Sequence, residues 1–358
     1  MTDLSSLTLP ELSAWVTGEL QEPAFRARQL YQWLHQKQAS SFEEMTNLPA
    51  ALRRELESRA KIAPVSTRLK LESALDGTRK FLFALEDGNC VETVWMEYHH
   101  GPSLCISTQV GCRMGCRFCA STLGGLVRNL TPGEMLGEVY EAQRQMGRPI
   151  SSLVLMGIGE PLDNFENVMK FLEILSSPQG QNLSLRHVSL STCGLVDGIR
   201  RLGERRLGLT LSVSLHAPDD ATRSAIMPVN RRWPIGELMA ACRDYFEATG
   251  RRISYEYALI DGVNDTPAGA EALAGLLRGQ NCHVNLIPVN PVKERATRRS
   301  SRRAVEAFAA RLGELGINAT VRRELGSDIS AACGQLRRQG GLKPREGGDR
   351  FEDERILE

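Results

Sequence analysis

Ser103–Asn129 reads SLCISTQVGCRMGCRFCASTLGGLVRN. The segment opens as an apolar strand, breaks into a cysteine-rich loop, and runs towards a helix start at Thr131-Pro132 with Glu134 in its first turn. Cys112, Cys116 and Cys119 follow the spacing C-x3-C-x2-C, with Gly111 before the first. A fourth thiol, Cys105, lies seven residues upstream of Cys112. Three thiols crowded on one loop suit a metal centre better than three separate core positions. A structural zinc site would need a fourth ligand, which Cys193, Cys282 or Cys333 would have to supply. A redox pair of Cys116 and Cys119 would leave Cys112 unused. An iron–sulfur cluster on three thiolates leaves one iron open to a substrate or cofactor, and this reading fits best. Gly115 allows a tight wrap, and Arg113 and Arg117 are placed to offset the charge of the thiolates.

Around this stretch, strand and helix patterns alternate from about residue 104 to about residue 325. Such repeats imply a parallel sheet, either a partial barrel or a doubly wound sheet. The first strand is expected over residues 104–108. The unusual residues fall on loops that follow strands, where barrel sites lie: Gly157-Ile158-Gly159-Glu160-Pro161, Ser191-Thr192-Cys193-Gly194, Ser214-Leu215-His216-Ala217-Pro218, and Asn285 to Asn290. Four regions follow: a helical accessory unit over 1–62, a small antiparallel β extension over 63–98, the α/β core over 99–338, and a polar, loosely ordered tail over 339–358. In the first, Ser5-Ser6-Leu7-Thr8-Leu9-Pro10-Glu11 reads as a cap with Pro near the first turn, and a third helix is expected over residues 42–61. The unit is either an accessory fold with a solvated basic face or a substrate-docking module. In the second, Asp76-Gly77 and Asp87-Gly88-Asn89 are hairpin signals.

The chain has 358 residues and a net charge of +1, so no global basic field points to nucleic acid. Local clusters do exist. Lys293–Arg303 (KERATRRSSRR) carries six basic residues against one Glu, and Arg200, Arg201, Arg205 and Arg206 form a second group. No apolar run approaches about 18 residues, and no secretory signal opens the chain. Nine cysteines, three of them crowded, fit a reducing cytoplasmic setting better than a disulfide framework.

Several separated motifs carry a resemblance. They are Ser107-x-Gln109-x-Gly111-Cys112, the three-cysteine loop with Phe118 before its last cysteine, Arg128-Asn129-Leu130-Thr131, MGIGEP (156–161), SLHAP (214–218), NLIPVNP (285–291) and Ala331-Ala332-Cys333-Gly334-Gln335-Leu336. In this order they resemble the RlmN/Cfr family of radical S-adenosylmethionine (SAM) RNA adenine methyltransferases, over about Glu92 to Leu336. The RNLT segment and the helical N-terminus lean towards the RlmN branch, which methylates adenine C2; the Cfr branch targets C8.

The resemblance implies a partial (β/α)6 radical SAM barrel. It implies a 4Fe-4S cluster on Cys112, Cys116 and Cys119, with SAM held by Gly159, Glu160, Ser191, Ser214, Leu215, His216 and Asn290. It implies 23S rRNA, and tRNA as a further substrate, an external electron donor and a monomer. It assigns Cys333 as the methyl-carrying cysteine, Cys105 as the resolving thiol that forms a transient disulfide with it, and Glu92 as proton acceptor. Taken alone, Cys333 and Cys105 read as core cysteines and Glu92 as a solvated strand position. Cys90, Cys242 and Cys282 read as core. Two departures stand out: Cys193 sits where a small Ser is expected, and Lys293–Arg303 is denser in arginine than its counterpart loop.

Overall fold

The structure, a computed structural model, describes residues 1–292 and 294–329. Cys333 and the tail over 339–358 lie outside the described residues, as does Lys293.

The N-terminal unit comprises β1 (Thr2–Asp3), α1 (Leu9–Glu19), α2 (Phe25–His35), α3 (Ala50–Arg59) and β2 (Ala60–Lys61), with β1 and β2 paired in parallel. The expected cap of α1 is a full capping box: Glu11 N–H donates to Thr8 Oγ1, and Thr8 N–H donates to Glu11 Oε2 at 2.8 Å. The third helix is half the expected length. Glu44 draws the Ser40 and Ser41 N–H groups into a turn at 3.0 and 3.1 Å. Leu48 precedes a proline and is steered away from helical geometry, so α3 starts only after Pro49.

Next come β3 (Val65–Glu72), β4 (Arg79–Leu85), β5 (Cys90–Tyr98) and β6 (Gly101–Cys105), all antiparallel neighbours. Strand β6 begins and ends earlier than expected from the sequence. A short hairpin, β7 (Gln109–Gly111) with β8 (Leu126–Asn129), carries the cysteine loop. Then follow α4 (Pro132–Met146), β9 (Ser152–Leu155), α5 (Phe165–Ser176), β10 (Val188–Thr192), α6 (Val196–Glu204), β11 (Thr210–Ser214), α7 (Asp220–Ile226), α8 (Ile235–Thr249), β12 (Ile253–Leu259), α9 (Pro267–Leu277), β13 (Cys282–Pro288), α10 (Arg302–Glu314) and β14 (Ala319–Val321).

Among the described residues, ten strands form one sheet in the order β14-β13-β12-β11-β10-β9-β6-β5-β4-β3. From β6 to β14 all neighbours are parallel and consecutive. A doubly wound sheet would reverse its strand order at a switch point; none occurs, so the fold is an open, singly wound partial barrel of six strand–helix units and a closing strand. The antiparallel extension is not a separate sheet. It continues the barrel ladder through the β5–β6 pair.

Helix α6 shows why the second arginine cluster is peripheral. Val196, Ile199 and Leu202 are buried, each stabilising by roughly 1.5–3 kcal/mol. The opposite face puts Arg200 beside Asp244 and Arg201 beside Glu166, both exposed pairs.

The N-terminal unit docks on α4 through polar contacts. Ser6 Oγ accepts from Gly133 N–H at 2.8 Å, and His35 Nδ1 shares a 2.9 Å hydrogen bond with Tyr140 Oη inside the interface. Burial pushes the His35 imidazole down to about 3, against about 6.5 in an unfolded chain. Between those values the unfolded chain takes up a proton that the folded one refuses, so stability falls as pH drops through this window. The expected loss is about 1.4 kcal/mol per unit below about pH 6.5. Thermal melts at pH 7.5 and 5.5 check this: a His35→Gln variant should show a smaller difference between the two than the parent does.

Candidate active site

The cysteine loop is a tongue projecting from the β7–β8 hairpin. Gly111, at φ +83°, starts it; a Cβ there would lie 2.0 Å from Gly125 O, so only glycine fits. Cys112 N–H donates to Gly125 O at 3.0 Å, and Arg117 N–H to Ile226 O at 2.9 Å. Thr122 Oγ1 donates to both Cys116 O and Cys119 O at 3.0 Å, fixing the last turn.

Cys112, Cys116 and Cys119 line one cavity of about 300 Å³ at the C-terminal ends of the parallel strands. Burial pushes the Cys112 thiol well up, and the neighbouring Cys116 adds to it. Burial and Cys119 push Cys116 to about 12. Thiols raised in this way, as Cys112 and Cys116 are, give up their protons readily only to a cationic group, which fits a metal centre. Among the described residues, no group of three or more His, Cys, Asp or Glu side chains is placed to hold a single ion.

The sequence pairs Arg113 and Arg117 with the thiolates. In the structure, Arg113 Nε donates to Asp163 at 3.0 Å, and Gln109 Nε2 donates to the same carboxylate at 2.9 Å. A cation that acts on Cys116 and Cys193 is Arg223, fully buried in α7. Its Nη2 donates to Cys193 O (2.7 Å) and Ser214 O (3.1 Å), Nε to Leu215 O (3.1 Å), and Nη1 to Asn230 Oδ1 (2.9 Å). One guanidinium thus ties the loops after β10 and β11. Sequence reading missed it, because DATRSAI reads as an ordinary short surface helix.

The remaining wall gathers the loops singled out by sequence. Gly159, Glu160, Ser191, Ser214, His216 and Asn290 all line the cavity. At Gly159 (φ +110°) a Cβ would stand 2.6 Å from the Gln109 Cβ. Glycine here is demanded by packing on the strand beneath. Glu160 accepts from Cys193 N–H (2.7 Å) and Leu162 N–H (3.1 Å), and burial pushes its carboxyl up. Its oxygens keep further lone pairs for a ligand. His216 holds a left-handed backbone (φ 58°) and accepts from Ala258 N–H at Nδ1, at 2.9 Å. Burial, reinforced by Arg223, pushes its imidazole to about 3, so the ring is neutral with its hydrogen on Nε2. Its edge meets the Phe118 ring, with centroids 4.9 Å apart. Leu215 is fully buried and ties its N–H to Glu256 O at 3.1 Å. Cys193, the unexpected thiol, also lines the cavity. Glu256, which sequence reading overlooked, lines it too; burial pushes its carboxyl up, and Asn285 donates to it at 2.7 Å.

Cys105 lines a second cavity of about 200 Å³. Met156, Ile287, Asn290 and Arg322 belong to the walls of both cavities, so the two adjoin. Among the described cysteines there is no disulfide. Glu92 shares the sheet face of Val94 and Cys105 by register, but lines neither cavity. It is fully buried and ion-paired to the equally buried Lys80, with Oε2 2.8 Å from Nζ. The solvated position that strand alternation suggests for Glu92 is therefore corrected: its face is covered. Of the arginine-rich stretch, Arg295 donates to Thr122 at 2.8 Å and Arg299 lines the Cys105 cavity. The stretch walls the site as well as facing solvent. Cys90 and Cys242 are buried core thiols, and Cys282 is half-buried against the core. No helix among the described residues is long and apolar enough to cross a membrane.

Comparison with known proteins agrees with this geometry. Residues 2–62 match the ribosomal RNA large subunit methyltransferase N-terminal domain, and residues 106–270 match the radical SAM superfamily. A crystal structure of a radical SAM methyltransferase from Sphaerobacter thermophilus superposes with a TM-score of 0.90 at 46% identity, covering 94% of this chain and 99% of that one. A probable dual-specificity RNA methyltransferase RlmN from Lachnoclostridium phytofermentans is 54% identical over 94% of both chains. One of the same description from Pelotomaculum thermopropionicum is 53% identical over 94% of this chain and 92% of its own. With the three-thiol tongue, the strand-end cavity and relatives of this identity along nearly the whole chain, the protein belongs to the RlmN family of radical SAM RNA methyltransferases.

Proposed function

We propose that this chain methylates C2 of adenine in 23S rRNA, and in tRNA, through an S-methylcysteine at Cys333. The observation that carries the reading is the shared wall between the three-thiol cavity and the Cys105 cavity. Radical generation at the first and resolution at the second then lie within reach of one bound base.

Cys112, Cys116 and Cys119 hold a 4Fe-4S cluster, and Gly159, Glu160, Ser191, Ser214, Leu215, His216 and Asn290 form the SAM pocket. When bound, the pair supplies one-electron cleavage of SAM to a 5′-deoxyadenosyl radical. Adenine C2 is electron-poor and does not attack a sulfonium directly, so the methyl must first move to a nucleophile of the chain, the Cys333 thiolate. Hydrogen removal from that S-methyl group gives a carbon radical that adds to C2, and the adduct then passes one electron to a one-electron acceptor, the redox partner of the enzyme, and releases its C2 proton. Glu92 lines neither cavity, so it takes that proton through a relay along the sheet face that it shares with Cys105. The Cys105 thiolate attacks the Cys333 sulfur, a disulfide forms, the carbon–sulfur bond breaks with its electron pair on the methylene carbon, and that carbon takes up a proton to become the methyl of the departing base. Leu325 and Ile329, packed against the cluster of Val94, Met96 and Cys105, support this pairing: Cys333 follows Ile329 by four residues. The neutral His216 and buried Glu160 favour a zwitterionic ligand over an anion. Arg299, Arg322 and Arg323 on the Cys105 cavity favour an RNA phosphate at its mouth. The working state is a cytoplasmic monomer supplied by an external electron donor.

Cys105→Ala tests the chemistry. Expected is a covalent RNA–protein adduct on a denaturing gel, with steady-state turnover reduced on the order of 100-fold or more. Normal turnover without adduct would remove the resolving role. Mapping the new methyl on treated 23S rRNA decides the regiochemistry: C2 supports the reading, while C8 or no methyl replaces it.

A further inference from the structure

Strands β14 and β3 are the two edges of the open sheet, and among the described residues no ladder joins them. The chain after β14 makes the join instead. It crosses to the turn between β3 and β4, where two carboxylates hold it. Asp76 Oδ2 accepts from Gly326 N–H at 2.8 Å, while its Oδ1 accepts from Thr78 N–H at 2.9 Å. Asp328 accepts from Ser73 Oγ–H at 2.7 Å and from Ala74 N–H at 2.9 Å. The arrangement is reciprocal, since each side offers a carboxylate to the other's backbone. Burial pushes Asp76 up, yet the Gly326 and Thr78 bonds outweigh it and hold the carboxyl at about 2. The Ser73 hydroxyl likewise holds Asp328 below its usual range. Both are therefore charged at neutral pH. Across the anchored strap, Leu325 and Ile329 press on Val94, Met96 and Cys105, and Leu325 forms part of the Cys105 cavity wall.

We propose that Asp76 and Asp328 are positioning residues that pin Leu325–Ile329 to the Ser73–Thr78 turn, so that the chain bearing Cys333 departs beside Cys105 instead of from the far sheet edge. The proposal rests on the roles of Cys333 and Cys105 given above. Its magnitude follows from tether length. Cys333 lies twelve residues beyond Val321, the end of β14, but four beyond Ile329. Loop-closure probability falls with roughly the 3/2 power of length, so losing the strap should lower the encounter of the two sulfurs about fivefold.

The test uses the cluster-loaded enzyme, SAM and an rRNA fragment in single turnover, following decay of the covalent adduct on denaturing gels. Asp328→Ala and Asp76→Ala are each expected to prolong the adduct about fivefold, with KM for RNA unchanged. Asp328→Asn, which keeps one acceptor oxygen, should fall between them and the parent. Hydrogen exchange provides a second readout: either substitution should lose protection in Ser73–Thr78 and Leu325–Ile329 together. Unchanged adduct lifetimes with lost protection would overturn the positioning role, and unchanged protection would overturn the strap itself. Failure of the underlying reading looks different: the parent would show no methyl on Cys333 and no adduct, whatever the exchange data say.

Discussion

Arg223→Met is expected to destabilise the fold by about 3–5 kcal/mol, an effect large enough to remove much of the stability of a typical domain. The side chain is fully buried and donates to three backbone carbonyls and one side-chain amide oxygen. Met fills similar space but donates nothing. Each acceptor left unpaired in the interior costs about 1–3 kcal/mol. Removing a buried guanidinium refunds part of this, since burial alone already disfavours its charge. The sum still points strongly downward, because the acceptors belong to Cys193, Ser214 and Leu215, whose positions are set by the sheet and cannot turn to water. Arg223→Lys should not restore stability: an ammonium on a flexible stem cannot bridge carbonyls on two loops as a planar fork does. Urea unfolding of the three proteins measures this directly. A difference under about 1 kcal/mol between parent and Met variant would show that the carbonyls find other donors.

The contrast between Arg223 and the cysteine tongue explains what sequence could show. Features governed by local chemistry were readable: the capping boxes at Thr8–Glu11 and Thr131–Glu134, the strand–helix alternation, and the three thiols whose spacing makes sense only around a shared ligand. Features created by convergence were not. Arg223 lies in a seven-residue helix and is buried because the Cys193, Ser214 and Leu215 carbonyls at the ends of β10 and β11 converge on it. Glu92 looks solvent-facing by alternation, yet Lys80 from the neighbouring strand pairs with it within a covered sheet face. The barrel choice was open at the level of periodicity, since singly and doubly wound sheets share the same βα rhythm; only strand order separates them. Arg295 and Arg299 read as a charge run, and their inward contacts depend on where the loop after β13 folds back.

Cys116→Ala is expected to reduce turnover by on the order of a thousandfold or more and to drop iron from about four atoms per chain to well below one. On the proposed reading, the three thiols of the loop would hold three irons of a cluster and leave the fourth for SAM. Deleting the middle ligand leaves two, on either side of a gap the tongue cannot close. Cys112 is fixed by Gly125, and Cys119 by its N–H on Cys116 O and its carbonyl on Thr122. Among the described residues, Cys193 is a nearby thiol that tests the argument from the other side. It lines the same cavity, and Cys112 and Cys116 lie close enough to push its thiol further up, after burial and Glu160. If the centre were a four-thiolate zinc site with Cys193 as fourth ligand, Cys193→Ser and Cys116→Ala would lose metal alike. For a three-thiolate cluster, Cys193→Ser keeps its iron and Cys116→Ala does not. Metal analysis after anaerobic reconstitution of both variants, with sulfide measured beside iron, separates the cases without recourse to activity. Full iron retention in Cys116→Ala would end the cluster assignment. Because the lost atom is a single small sulfur in a cavity wall, the metal-free variant should unfold within about 1 kcal/mol of the metal-free parent, which assigns the lost turnover to the missing ligand and not to a damaged fold.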